Sequence, residues 1–147
     1  MPLLLAGAFR ALVDALHDEL AARGHPDARP LHGFALQAVG PDGATVSELA
    51  RRLGVTKQAA AKTATALEGL GYLHREPHPL DGRAVQLRRS PHGEEMLSLS
   101  AEIFARLRAQ RADELGPRRL RALEDDLERI AGTSPVAKLR DLPGWLR

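Results

Sequence analysis

The chain has 147 residues, of which 44% are hydrophobic, 27% charged and 3% aromatic. That length suits one domain or a compact fused pair, and that balance excludes an intrinsically disordered chain. With no cysteine, disulfides, thiolate metal sites and thiol-based peroxide sensing are excluded, and a reducing cytoplasm is the expected compartment.

The apolar run at the start of the chain follows no basic residue and is interrupted by Arg10. It makes a poor signal peptide and is too short to span a membrane, so no membrane association is expected. Leu5, Phe9, Leu12, Val13, Leu16 and Leu20 recur at three- and four-residue steps and predict one face of a long helix, ended by Gly24 and Pro26. Pro30 opens a second helix from Leu31 to about Val39. Gly40-Pro41-Asp42-Gly43 stops it as the clearest turn in the chain.

Thr45-Val-Ser-Glu48 has the form of a capping box: the Thr45 hydroxyl takes the Glu48 amide, and the Glu48 carboxylate returns to the Thr45 amide. The helix it opens runs to Leu53, with Gly54 at its left-handed end. Thr56 caps the next helix, which runs to about Leu70 before Gly71. Residues 72–76 and 84–88 read as two short strands joined by a turn-rich loop over 77–82. Ser90-Pro91 caps a long helix to about Leu115, with Met96, Leu97, Ile103, Phe104 and Leu107 on its apolar side. Gly116-Pro117 breaks it. Leu120, Leu123, Leu127 and Ile130 then mark a narrow seam of the kind that pairs helices. The tail from Ser134 to Arg147, with Leu142, Trp145 and Leu146, either docks on a partner or frays.

The expected fold is mainly α with a small β-hairpin: a winged helix-turn-helix flanked by N- and C-terminal dimerisation helices. Residues 1–40 supply dimerisation and support, 41–92 the DNA-reading module, and 93–147 the C-terminal dimerisation helices and tail. One 147-residue copy has too little surface to cover both terminal apolar stripes, so a homodimer is expected.

Charge is distributed to match. From Arg51 to His92 there are eight Lys/Arg and three Asp/Glu, a balance of +5; the remainder holds 13 and 16, a balance of −3. A basic excess on the reading module is the electrostatic footprint of a phosphate partner. On the helix from Thr56, Ala60, Thr63, Ala64 and Leu67 share the side that packs on Leu49 and Leu53. Lys57, Gln58, Ala61, Lys62 and Thr65 share the other. Lysine meets phosphate or guanine, glutamine pairs with adenine, and small residues admit thymine methyls. At the hairpin tip, Arg83 suits the narrow minor groove, with Asp81 two residues away to hold its guanidinium.

The stretch SELARRLGVTKQAAAK, followed by LEGLGYLHREPHPLDGRAVQLRRSPHG, resembles the MarR (multiple antibiotic resistance regulator) family of bacterial transcription factors. That resemblance implies a homodimer on a pseudo-palindromic operator, with the Thr56 helix as recognition helix, Arg83 as wing arginine and Asp81 as its support. It also implies repression relieved by a small, often aromatic, effector bound between the dimer and reading modules. Phe9, His17, His32 and Phe34 are the candidate lining; Arg88 joins the DNA-binding set. Three positions depart from the family pattern. Gly82 replaces a second basic wing residue. Arg89 stands at a usually apolar strand position, so that either the strand ends early or Arg89 points to DNA. The recognition helix is rich in alanine, which leaves more of the specificity to DNA shape.

No cofactor is expected. The six histidines show no spacing that forces two or three to converge with a carboxylate, so no metal site is expected. There is no nucleophile motif or phosphate loop, and Glu124 to Glu128 reads as a solvated face, so the chain is not expected to be an enzyme. The competing reading is a winged-helix docking module that does not read DNA, since fold alone does not settle function.

Overall fold

A computed structural model describes residues 1–131; the tail with Leu142, Trp145 and Leu146 lies outside them. The order is α1 (Pro2–Ala22), α2 (Pro30–Val39), α3 (Val46–Leu53), α4 (Lys57–Gly69), β1 (Leu73–His78), β2 (Asp81–Arg89), α5 (Pro91–Leu115) and α6 (Pro117–Ala131). The mainly α class with one antiparallel hairpin is as the sequence predicts. No helix among the described residues is long and apolar enough to cross a membrane.

The caps form where the sequence places them. The Thr45 hydroxyl accepts the Glu48 amide at 3.2 Å and the Glu48 carboxylate accepts the Thr45 amide at 2.8 Å, which starts α3. Gly54 closes α3 in the left-handed conformation. Thr56 accepts the Ala59 amide and starts α4, and Ser90 accepts the Gly93 amide and starts α5. Each cap satisfies an amide that the helix itself leaves unpaired.

One core joins the frame to the reading module. Leu16 and Leu20 of α1, Leu36 and Val39 of α2, Leu49 and Leu53 of α3, Ala60, Ala64 and Leu67 of α4, and Met96, Ile103 and Leu107 of α5 are all buried in it. Small Ala60 and Ala64 let α4 lie close on α3, the contact that fixes the helix-turn-helix angle. Arg23 pairs with Glu102 at 3.1 Å and Arg106 pairs with Glu19, so α1 is tied to α5 at the surface as well. Arg108 of α5 holds Glu124 of α6 through two bonds.

The hairpin is longer than the sequence predicts. Pairing runs from Leu73↔Arg89 to His78↔Asp81, with a register shift at Pro77/His78, and the turn shrinks to Pro79-Leu80. Pro77 has no N–H to give the ladder, yet a two-stranded ribbon leaves one edge of each strand free for such a residue. Ala44 adds a bridge to Leu87, donating and accepting one bond. Gly43 makes that approach possible: its φ is +83°, and a Cβ there would lie 2.7 Å from the Leu87 carbonyl oxygen.

Candidate nucleic-acid interface

The capped start of α4 divides that helix sharply. Ala60, Ala64 and Leu67 are buried, whereas Thr56, Lys57, Gln58, Lys62 and Thr65 are exposed and Ala61 is half-buried. Thr56 is occupied as the cap. Among the described residues Lys57, Lys62 and Arg83 make no ion pair. Thr65 is not wholly open, because Arg75 reaches its hydroxyl at 3.5 Å while pairing with Glu68 at 2.9 Å.

At the wing, Arg83 is exposed and Leu80 projects from the tip with 92% of its surface in solvent. Asp81 acts differently from the expectation. Its carboxylate accepts the backbone amide of Arg83 at 3.1 Å. This is an Asx turn: the short side chain meets its own chain two residues on before it can reach the guanidinium. Asp81 therefore shapes the wing tip rather than gripping the Arg83 side chain. Arg88 is partly engaged, pairing with Glu76 across the hairpin at 3.0 Å and reaching the Pro41 carbonyl.

Arg89 corrects the sequence reading twice. The strand does not end early, and the side chain turns inward onto α2. Its Nε donates to the Leu36 carbonyl at 2.8 Å and its Nη2 to Gln37 at 3.4 Å, with Glu94 on the other side. Arg52 donates to the carbonyls of Ala38 at 2.7 Å and Val39 at 3.0 Å. Two arginines from different elements thus satisfy the last four carbonyls of α2, at the end where the helix dipole favours cations. Four of the eight basic residues of the module (52, 75, 88 and 89) are engaged within the fold. The other four are Arg51 on α3, Lys57 and Lys62 on α4, and Arg83 on the wing.

The candidate effector residues converge in part. Phe9, His17 and Phe34 line a mostly apolar cleft of about 80 Å³ between α1, α2 and α5. His32 does not join them. It is buried, and its Nδ1 accepts the Arg29 amide at 3.1 Å as part of the start of α2. Burial lowers its pKa, with Arg29 and His17 adding to the effect. His17 Nδ1 lies 2.7 Å from the Val13 carbonyl, which can only accept, so that nitrogen carries a proton. Beside this cleft a polar one of about 400 Å³ runs along Arg10, Asp14, Asp18 and Arg29.

Sequence reasoning missed a cluster at the base of the module. His25, on the connection between α1 and α2, is 1% exposed. Its ring stacks on His92 at 4.4 Å, and Tyr72 stacks on His92 at 4.9 Å. His25 Nδ1 meets the Tyr72 hydroxyl at 3.1 Å. Its Nε2 is buried with no hydrogen-bond partner, a state that costs about 1–3 kcal/mol. Burial first, then His92, pushes the His25 pKa down. The chain approaches closely here: Ser90 donates its amide to the Tyr72 carbonyl, and a Cβ on Gly93 would lie 2.3 Å from that oxygen. No local signal joins residues 25, 72 and 92; only the folded chain does.

A buried helix-turn-helix, a hairpin wing and an exposed basic helix face together define a winged helix-turn-helix. Residues 33–84 match the model of the MarR family, and the resemblance read from the sequence is borne out over that stretch. A search of curated sequences returned no match. Among solved structures, E. coli MarR in its apo form is 19% identical, with 90% of this chain and 97% of that one covered at a TM-score of 0.66. Bacillus subtilis YusO is also 19% identical, covering 90% and 93% at 0.67. Streptococcus pneumoniae FabT, in complex with DNA, is 19% identical, covering 86% and 90% at 0.70. Likeness at that identity establishes a shared fold.

Proposed function

We propose that the chain is a homodimeric, sequence-specific DNA-binding regulator, a repressor that a small organic ligand releases from a pseudo-palindromic operator. The observation that carries this reading is the uncommitted face of Lys57, Gln58, Lys62 and Arg83, presented by a capped helix and a hairpin tip. In this proposal Thr56, Lys57, Gln58, Ala61, Lys62 and Thr65 lie along the major groove. Arg83 enters the minor groove on a tip shaped by Asp81, and Arg88 contacts backbone phosphate. That FabT was solved in complex with DNA supports the same use of the fold here.

Dimerisation is argued from uncovered apolar surface. Leu3 and Leu4 of α1, Phe104 of α5, and Leu123, Leu127 and Ile130 of α6 are exposed in the single chain, and two copies bury such stripes together. The cleft at Phe9, His17 and Phe34 is smaller than the roughly 300 Å³ of an ordinary small-molecule site. A ligand entering it must widen it, and so favours a spacing of the two reading helices other than the one DNA selects. The non-enzymatic reading is consistent with a family of regulators. Glu124, the first carboxylate of the acidic run, is held below the ordinary range by Arg108 as an ion pair.

Selection of bound duplexes from random sequence tests the proposal. The expected product is an inverted repeat with half-sites one helical turn apart, ~34 Å. Log affinity is expected to fall linearly with log salt. A monomer by sedimentation, or binding with neither base preference nor salt slope, overturns it in favour of a docking module.

A further inference from the structure

We propose that His25, His92 and Glu95 form a binding site for one divalent transition-metal cation of the zinc class. Their ligand atoms lie within 4.8 Å of one another. The Glu95 carboxylate oxygen is 3.3 Å from His92 Nδ1 and 3.8 Å from His25 Nε2. Bonds of ~2.0–2.1 Å in tetrahedral geometry place neighbouring ligand atoms ~3.3–3.4 Å apart, so Glu95 needs little closing towards either histidine, while the His92 ring, stacked on His25 at 4.4 Å, has to turn out of the stack for both lone pairs to meet one ion. A set of two imidazoles and one carboxylate suits zinc and its neighbours rather than calcium or magnesium, and it leaves a fourth position for water.

The independent observation is the unpartnered Nε2 of His25. It is buried, faces Glu95, and has no hydrogen-bond partner. The Tyr72 hydroxyl accounts for the other ring nitrogen. If Nδ1–H donates to that hydroxyl, the lone pair of Nε2 is free for a metal, the usual way a supporting residue orients a ligating histidine. His92 and Glu95 lie at the half-exposed mouth, which gives a cation a way in from solvent. A cation there ties the α1–α2 connection to the first turn of α5, beside Tyr72, the residue leading from α4 to β1.

The test uses the full-length chain without an affinity tag. Zn²⁺ is titrated in competition with a chromogenic chelator, and Co²⁺ is added separately to read visible absorption. Both are repeated in His92→Gln and Glu95→Gln, whose side chains are 42% and 59% exposed in the parent and so do not carry the core. The expected result is one equivalent per chain and the intense absorption of a four-coordinate Co²⁺ site. The thermal midpoint is expected to rise with Zn²⁺. Each substitution is expected to weaken Zn²⁺ binding by about 100-fold or more, beyond the loss typical of an outer supporting residue. Binding equal in parent and variants means surface histidines alone and overturns the proposal. So does Co²⁺ absorption of six-coordinate, water-like intensity, or no binding at micromolar metal.

Discussion

The module's basic residues divide into two regions with opposite uses. Beneath it, Arg52 and Arg89 are folded onto the carboxyl end of α2, and Arg89 is only 13% exposed. On its outer side, Lys57, Lys62 and Arg83 stand in solvent without ion-pair partners among the described residues. The sequence contributes the same charge in both places. What separates them is whether helix carbonyls lie within reach. A basic count therefore overstates the charge available to phosphate, and the geometry identifies which charges remain.

The largest expected effect breaks the lower region by steric force. Gly93→Ala places a methyl against the Tyr72 carbonyl, and loss of about 3 kcal/mol of stability is expected from overpacking against backbone. Denaturant melts check it; a change below about 0.5 kcal/mol means that the close approach relaxes. Arg89→Ala removes a mostly buried cap of α2 and is expected to lower stability by about 2 kcal/mol. The salt slope of DNA binding measured on the surviving folded fraction should stay unchanged. A reduced slope would return Arg89 to the DNA surface and erase the division.

Arg83→Ala and Lys62→Ala test the outer region. Each is expected to weaken operator binding by about tenfold and to reduce the salt slope by about one, with stability within about 0.5 kcal/mol of the parent. Fluorescence anisotropy across a salt series separates these outcomes. The smallest effect concerns Glu48. Its carboxyl is held below the ordinary range first by the Thr45 amide and then by the Thr45 hydroxyl. A carboxyl depressed by folding adds stability that is complete above its unfolded value, about 4.3, and fades as pH falls through the lower folded value. Glu48→Gln is expected to flatten that acid-side decline by a few tenths of a kcal/mol, a partly exposed group being screened by solvent. An unaltered acid melt would remove the carboxylate from the account of the cap.

Local chemistry was legible in advance. The caps at Thr45, Thr56 and Ser90 each act within three residues, so sequence spacing suffices to find them. The buried side of α4 followed from its helical period. Asp81 misled because its backbone lay nearer than its expected partner. Arg89 misled because its acceptors, Leu36 and Gln37, are about fifty positions away and have no periodic signature. His32 went from the cleft to the start of α2 for a local reason, the Arg29 amide, which a pattern search for ligands passes over. The His25 cluster was invisible because three chain segments supply it.

The alanine-rich outer side of α4 has an evolutionary consequence. Gln58, Ala59, Lys62, Thr65 and Ala66 are exposed while Ala60, Ala64 and Leu67 carry the packing. Substitutions at the outer positions leave the scaffold's interior untouched. If α4 reads DNA as proposed, retargeting to a new half-site is open to a lineage, or to a designer, by mutating a handful of codons, with the buried side of the helix left as it is.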